Sequence, residues 1–448
     1  MSKYPTENKG IGREFKLGSL LAFALPTMIM MVFTSLYVIV DGIFVARFVS
    51  SNALAAINIM APAFSLAMAI SIMLAAGSSA IIARHMGEGN IEAAHKGFTF
   101  ITIVTIVIAL ASIILGLIFF DGIIAALGAN EAIYPYCRDY FIVILFFVPT
   151  YMLQMLFQSM FITNGTPSLG MALTVAAGIV NMVFDYILIV PCNMGIAGAA
   201  LATGLGTLVP SLFGIAYFGS KRGALRFCKP KVNWALLGRS CINGSSEMVS
   251  NLAYGLITFL YNITMMRLIG EDGVAAITVI QYAEFLMSSL FFGFSMGVAP
   301  IFSYNYGSGN RPQTKRIFKI CVGAVGAFSL FIFALAEIFG HYVVGIFAPP
   351  GTGVYELAAG GFRIFSVCFI LVGFNVFASA LFTALNNGKI SAIISFLRTF
   401  IFISAVILIL PEFIGVTGVW LAVPIGEALA FALSLFMILK KKNEYGYL

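Results

Sequence analysis

Apolar runs recur along the whole chain, separated by short breaks rich in glycine, proline and charge. None shows the two-residue alternation, in segments of about ten residues, that a transmembrane barrel needs. Each is long enough for a helix to cross the hydrocarbon core, which takes about 20 mostly apolar residues. On that criterion spans fall at 17–47, 52–84, 97–120, 135–162, 168–192 and 195–219, and again at 236–268, 274–305, 317–348, 358–385, 389–411 and 415–439. The expected fold is an all-α polytopic membrane protein with twelve transmembrane helices. Several runs exceed a perpendicular crossing, which predicts tilted helices or helices that project beyond the bilayer.

Charge supplies the orientation. Of the 25 Lys and Arg residues, 20 fall in one alternating set of connections and four on the other side, with Arg398 inside a span. The rich set includes Lys3, Lys9, Arg13, Lys16, Arg84, Lys96, the stretch from Lys221 to Arg239, Arg311 to Lys319, Lys389, and Lys440 to Lys442. The poor set is Arg47, Arg138, Arg267 and Arg363. Basic loops stay cytoplasmic, so both termini are expected inside, in a cell (cytoplasmic) membrane. The expected layout is a cytoplasmic segment 1–16, an N-lobe 17–220, a cytoplasmic linker 221–235, a C-lobe 236–439 and a cytoplasmic tail 440–448.

This asymmetry accounts for the net charge of +7 without nucleic acid as a partner. Six scattered cysteines form no CxxC pair, and three histidines no HExxH site. No GxSxG, DDxxD or Walker A pattern occurs, which argues against an intramembrane enzyme and against ATP-driven pumping by this chain alone. No cofactor is expected.

A repeat organises the spans. "GSSAIIARHMGEGN" at 77–90 and "GVAPIFSYNYGSGN" at 297–310 lie 220 residues apart, with Gly77, Gly87, Gly89 and Asn90 matching Gly297, Gly307, Gly309 and Asn310. The same offset pairs "AAI" at 55–57 with 275–277, and Pro191, Gly195, Gly198, Leu201, Ala202 and Gly206 with Pro411, Gly415, Gly418, Leu421, Ala422 and Gly426. A duplicated unit of six spans inserts both halves the same way up. The two bundles are then related by a pseudo-two-fold along the membrane normal, with a cavity between them near the midplane.

The candidate chemistry is carboxylate chemistry. "LYVIVDGIFVA", residues 36–46, places Asp41 in an otherwise apolar or small run. An ionised carboxylate in hydrocarbon is costly. It persists by facing a wet cavity, by pairing, or by taking up a proton, because removal from water disfavours the charged form of a carboxyl. Asp185 follows Asn181 by four residues, so both lie on one helix face. Pro26 shares the first span with Asp41, removes one backbone hydrogen bond there and is a candidate hinge. In the second half, Glu284 beside Gln281 is a candidate for drawing a cation from the cavity, or for an interhelical polar contact. Glu427 is expected to pair with Arg398, and Glu247 to sit near the solvated start of span 7. Tyr37 and Met31 are candidate substrate contacts; most other Met and Phe residues serve packing and lipid exposure.

Together these features resemble the multidrug and toxic compound extrusion transporters. The likeness rests on "VDGIFVARF" in span 1, the G-x-G-N turns after spans 2 and 8, and "NMVFDYILI" in span 5, followed by Pro191. It implies a monomeric secondary transporter, an antiporter that expels small cationic, amphipathic compounds by alternating access against inward H⁺ or Na⁺. In the branch most like this chain the ion site lies in the N-lobe and maps onto Asp41, Asn181, Asp185 and Thr203, the last within "GAALATGLG". These four would also be the metal ligands if Na⁺ couples. Another branch relies on carboxylates in helices 7 and 10; span 10 here holds Asn375 but no acid, a departure from that pattern. The expected cycle loads Asp41 and Asp185, bends span 1 at Pro26 and releases substrate outward. The rival expectation is a flippase for a lipid-linked cell-envelope precursor. That activity wants central Arg or Lys for pyrophosphate, whereas the intramembrane acids Asp41, Asp185, Glu284 and Glu427 outnumber the intramembrane base Arg398.

Overall fold

The computed structural model describes residues 10–220 and 223–448, so Lys3, Lys9, Lys221 and Arg222 of the basic set lie outside the described residues. Helices α1 (Leu17–Phe48), α2 (Ser51–Gly87), α3 (Ile91–Ile118), the short α4 (Phe120–Ala126), α5 (Tyr134–Thr163), α6 (Pro167–Ile189) and α7 (Gly195–Gly219) form the first lobe. Helices α8 (Trp234–Leu268), α9 (Glu271–Gly307), α10 (Arg311–Phe347), α11 (Gly353–Phe365), α12 (Phe369–Ala384), α13 (Gly388–Phe396), α14 (Ser404–Ile414) and α15 (Val416–Tyr445) form the second. No strand occurs among the described residues. Span 10 is α11 and α12 joined by a 3₁₀ turn at Ser366–Cys368, and span 11 is α13 and α14 joined by the π-helical Leu397–Ile403.

Eleven helical rods among the described residues are long and apolar enough to cross a membrane. The twelfth span is α8, which carries Asn243, Ser246, Glu247, Ser250 and Asn251 in its middle. The observed helices outrun the apolar runs wherever charge follows. α10 begins at Arg311 and takes in Lys315, Arg316 and Lys319, because a helix extends into water once its apolar part is anchored. The chain end differs from a solvated tail: α15 continues to Tyr445, and Tyr445 and Tyr447 are buried. Asn387 Nδ2 donates to Tyr445 Oη at 2.7 Å, and Tyr447 Oη donates to the Ile438 carbonyl at 2.9 Å.

The repeated G-x-G-N turn has a local cause. Gly89 and Gly309 take φ of +75° and +70°, a left-handed conformation that a side chain disfavours. The asparagine that follows each then caps the next helix: Asn90 accepts from the Ala93 amide at 3.1 Å, and Asn310 from that of Gln313 at 3.2 Å.

The lobes meet along two seams, α2 against α8 and α1 against α9, and between them α2 also packs on α9. The 220-residue offset exchanges one seam for the other, as a two-fold relation between lobes requires. A Cβ on Gly87 would stand 2.0 Å from the Tyr304 carbonyl oxygen, and one on Gly307 would stand 2.3 Å from that of Arg84. Each contact is the other's symmetry mate. Gly77 meets Gly244 and Ser240 in one seam; in its mate Gly297 meets Ala24. These contacts bring backbone against backbone on the side that carries both described chain ends, where Tyr445 lies beside Tyr306 and Gly12 beside Tyr304.

One apolar core runs through both lobes on that side, with Phe98, Phe157 and Phe218 from the first and Phe302, Phe318 and Phe377 from the second. Toward the other side each lobe has its own core, around Met60, Phe141 and Met152 in one and Phe291, Phe362, Phe369 and Trp420 in the other. A shared core at one end and separate cores at the other describe a cleft that opens away from the chain ends.

Candidate functional site

Three helices build the carboxylate site in the first lobe. α6 starts at Pro167, whose missing amide costs nothing at a helix start. It presents Asn181 and Asp185 one turn apart, 3 % and 1 % exposed. The chain turns at Val190–Met194 and returns as α7, which carries Thr203 alongside. Asn181 Nδ2 stands 3.4 Å from Thr203 Oγ1, a long contact, while Thr203 Oγ1 donates to the Ala199 carbonyl at 3.1 Å. α1 supplies Asp41, whose carboxyl comes within hydrogen-bond range of Asp185. All four residues that the resemblance nominated therefore lie in one place.

Asp41 Oδ1, Asp185 Oδ1 and Asn181 Oδ1 are all enclosed, and no protein donor reaches any of them among the described residues. A carboxylate oxygen only accepts hydrogen bonds. Two carboxyls in contact therefore attract each other only with a proton or a cation between them. The donor set is two carboxyls, an amide oxygen and a hydroxyl: hard oxygen ligands, suited to a proton or an alkali cation. No group of three or more His, Cys, Asp or Glu residues fit for a metal occurs among the described residues.

Around Asp41 the wall is aromatic. Tyr37 lies one turn earlier on α1, and Tyr140 on α5 also lies within electrostatic range of the Asp41 carboxyl. Tyr151, three turns after Tyr140 on α5, stands near Tyr37 and packs edge-on against Phe64 at 5.0 Å. All four rings keep partial exposure deep in the lobe, as residues lining a cleft do. Sequence reading singled out Tyr37 but missed Tyr140 and Tyr151, whose eleven-residue spacing on one helix face was the available signal. Met31 is partly exposed on the same helix, its carbonyl accepting from Ser35 Oγ at 3.0 Å. α1 remains helical through Pro26.

In the second lobe, Gln281 is buried and donates to Thr258 Oγ1 at 3.2 Å, which ties it between α9 and α8. Glu284, one turn on, lies deep in the lobe within electrostatic range of Glu427 and Arg398. Arg398 Nε donates to Glu427 Oε1 at 2.8 Å. Glu247 is not at a solvated helix start: it is surrounded by protein and acts on Arg398 electrostatically. Two surface clefts, about 240 and 460 Å³, lie instead at the end carrying the described chain ends, lined by Arg84, Tyr306 and Tyr445 and by His85, Lys96 and Lys231.

A duplicated bundle of twelve spans, its lobes sharing a core at one end and holding separate cores at the other, with paired carboxyls buried in the first lobe, has the architecture of a two-lobe membrane transporter. The MatE family model matches residues 26–187 and 248–408, once in each lobe, and the chain belongs to that family. It is a secondary transporter and not an enzyme. Among curated relatives it is 24 % identical to the multidrug export protein MepA of Staphylococcus aureus, over 94 % of this chain and 93 % of that one. Its fold matches an outward-facing multidrug resistance MATE family transporter of the MOP superfamily, with TM-score 0.91 and 22 % identity over 98 % of this chain and all of that one. It also matches a MOP superfamily transporter from Pyrococcus furiosus, with TM-score 0.88 and 22 % identity over 96 % of this chain and 97 % of the other.

Proposed function

We propose that this chain is a cation-coupled multidrug exporter of a bacterial cell membrane, moving small cationic amphipathic compounds outward by alternating access. Multidrug export is what its MepA relatives are named for. The observation that carries the coupling is the set of three enclosed acceptor oxygens on Asp41, Asp185 and Asn181 without a protein donor. Such a site is stable when it holds a proton or Na⁺, with Asp41, Asn181, Asp185 and Thr203 as ligands in the second case. Loading it removes charge at the contact between α1 and α6, and α1 then bends at Pro26, shrinks the first-lobe cavity and expels the substrate.

With basic loops inside, the closed seams face the cytoplasm and the cleft faces outward. Tyr37, Tyr140 and Tyr151 supply faces on which a flat cation can rest. A flippase for a pyrophosphate-linked lipid is disfavoured, because Arg398, a basic residue deep inside its span, is paired with Glu427.

Asp41→Asn and Asp185→Asn are each expected to abolish drug resistance at normal membrane abundance. Coupled efflux unchanged in both variants sinks the assignment. Dye efflux from proteoliposomes under separately imposed pH and Na⁺ gradients identifies the ion.

A further inference from the structure

The second lobe holds a charged cluster that the coupling site does not use. Glu427 on α15 has 1 % side-chain exposure, and both its oxygens are taken: Arg398 Nε donates to Oε1 at 2.8 Å and Asn375 Nδ2 to Oε2 at 2.7 Å. Asn375 is held in turn by donating to the Glu427 carbonyl at 2.9 Å. The pair is therefore fixed, and its charges cancel.

Arg398 spends only Nε on it. A guanidinium carries five N–H groups in a planar fork. The Nη groups donate to no protein group among the described residues, and they are not sealed in, since the side chain keeps 12 % exposure. The π-helical turn Leu397–Ile403 puts the residue there, and such turns often mark functional sites. On this turn and just before it, Ile401 and Phe396 face outward, while Arg398 lies within electrostatic range of Glu247 on α8 and Glu284 on α9. Both acids are partly exposed although protein surrounds them, which places them on the cleft wall. Asn375 Oδ1 is enclosed beside the cluster with no donor.

What remains unspent is a guanidinium fork, two carboxyls and one amide oxygen. We propose that Arg398 recognises a carboxylate at this wall and that, with Glu247 and Glu284, it forms a subsite for amphipathic zwitterions carrying one carboxylate and one cationic nitrogen. The fork holds the carboxylate through paired charge-assisted hydrogen bonds, strong where water is scarce. Glu427 cancels the Arg398 charge, so an anion alone gains little; the nitrogen, drawn by Glu247 and Glu284, completes the fit. The substrate class rests on the export reading above.

The test uses two xanthene dyes that differ only in a free carboxylate against its methyl ester. Their binding to purified protein is followed by fluorescence anisotropy, which needs no transport. The wild type is expected to bind both. In the Arg398→Gln/Glu427→Gln double variant, which removes both charges together, the acid-to-ester affinity ratio should fall about tenfold or more. Arg398→Lys keeps the charge but loses the fork, and should lower the ratio as well; it serves if the double variant does not fold. A ratio unchanged in the folded variants, or a wild type blind to the acid dye, overturns the subsite. Loss of ester efflux from wild-type proteoliposomes with the ratio intact overturns the export reading instead.

Discussion

The seams between lobes can be tested with a single methyl group. A Cβ on Gly77 would lie 2.0 Å from the Ser240 carbonyl oxygen and 2.7 Å from the Gly244 amide, where real Cβ contacts stay beyond 3.0 Å. Both neighbours are backbone atoms in the first third of α8, so no side chain can swing aside, and α2 and α8 must part by about 1 Å. Overpacking of this kind costs about 1–3 kcal/mol. The cost falls only on the conformer in which the lobes touch here, because a conformer parted at this seam has room for the methyl. Gly77→Ala should therefore shift the conformational balance away from this conformer by roughly 5- to 150-fold, at about 1.4 kcal/mol per tenfold.

Glu88→Cys and Ser308→Cys, in a background without the six native cysteines, sit on the two turns that flank the Gly87–Tyr304 contact. Their cross-linking yield reports closure. Gly77→Ala should lower that yield and slow drug export. Gly255→Ala, on α8 with nothing within 4 Å of the new Cβ, is the matched control and should leave both intact. If Gly77→Ala cross-links and exports like the control, the seam does not govern the conformation.

Three further outcomes follow from the packing. Arg398→Met leaves Glu427 buried and unpaired and should cost about 3–5 kcal/mol, whereas adding Glu427→Leu should restore most of it; denaturant midpoints in detergent decide. Tyr447→Ala removes a fully buried ring that lies 5.0 Å from Phe318 and donates to Ile438, and should cost about 3 kcal/mol, read from the same midpoints. Glu88 lies outside the spans. Burial there works against its charged form, but hydrogen bonds from Arg84 and His85 outweigh burial and hold its carboxyl below the ordinary value of 4.5. A lowered value means that the ionised form stabilises the fold above that pH and loses its effect as pH falls through the lowered value. Glu88→Gln should thus lower the thermal midpoint at pH 7, and the difference from wild type should shrink as pH falls below 4.5.

What the sequence made legible followed from periodicity and charge. Span positions came from apolar length, the duplication from the glycine offset, and the convergence of Asp41 with Asp185 from the resemblance. The rest depended on geometry that no local pattern carries. α8 passed as an ordinary span although Glu247 in its middle faces a guanidinium from span 11. The π turn at Leu397–Ile403 leaves no mark in hydropathy, since it widens the helix without changing its composition. Tyr445 and Tyr447 looked like a solvated tail because they follow three lysines, yet their rings fold back onto Tyr306 and Phe318.

The duplication explains why the two lobes carry different chemistry. At the 220-residue offset Asp41 corresponds to Tyr261, Asp185 to Ala405, Arg398 to Gly178 and Glu427 to Thr207. None of these four charged positions has a charged mate in the other lobe. The exchange at Gly178 is steric: a Cβ there would stand 2.5 Å from the ring of Phe33 on α1. The mate of Phe33 is Ala253 on α8, a buried residue with no ring, and Arg398 occupies the mate position of Gly178. One lobe thus places an aromatic ring there, and its acids Asp41 and Asp185 have no basic partner among the described residues, as the proposed coupling to a small cation requires. The other places there a guanidinium tethered to Glu427. A Gly178→Arg substitution should therefore fail to rebuild the second-lobe arrangement in the first lobe unless Phe33→Ala accompanies it. In the paired variant the new guanidinium should compete with the coupling ion at Asp185. Ion-driven efflux that survives in Phe33→Ala but vanishes in Phe33→Ala/Gly178→Arg supports this division of labour; equal efflux in both refutes it.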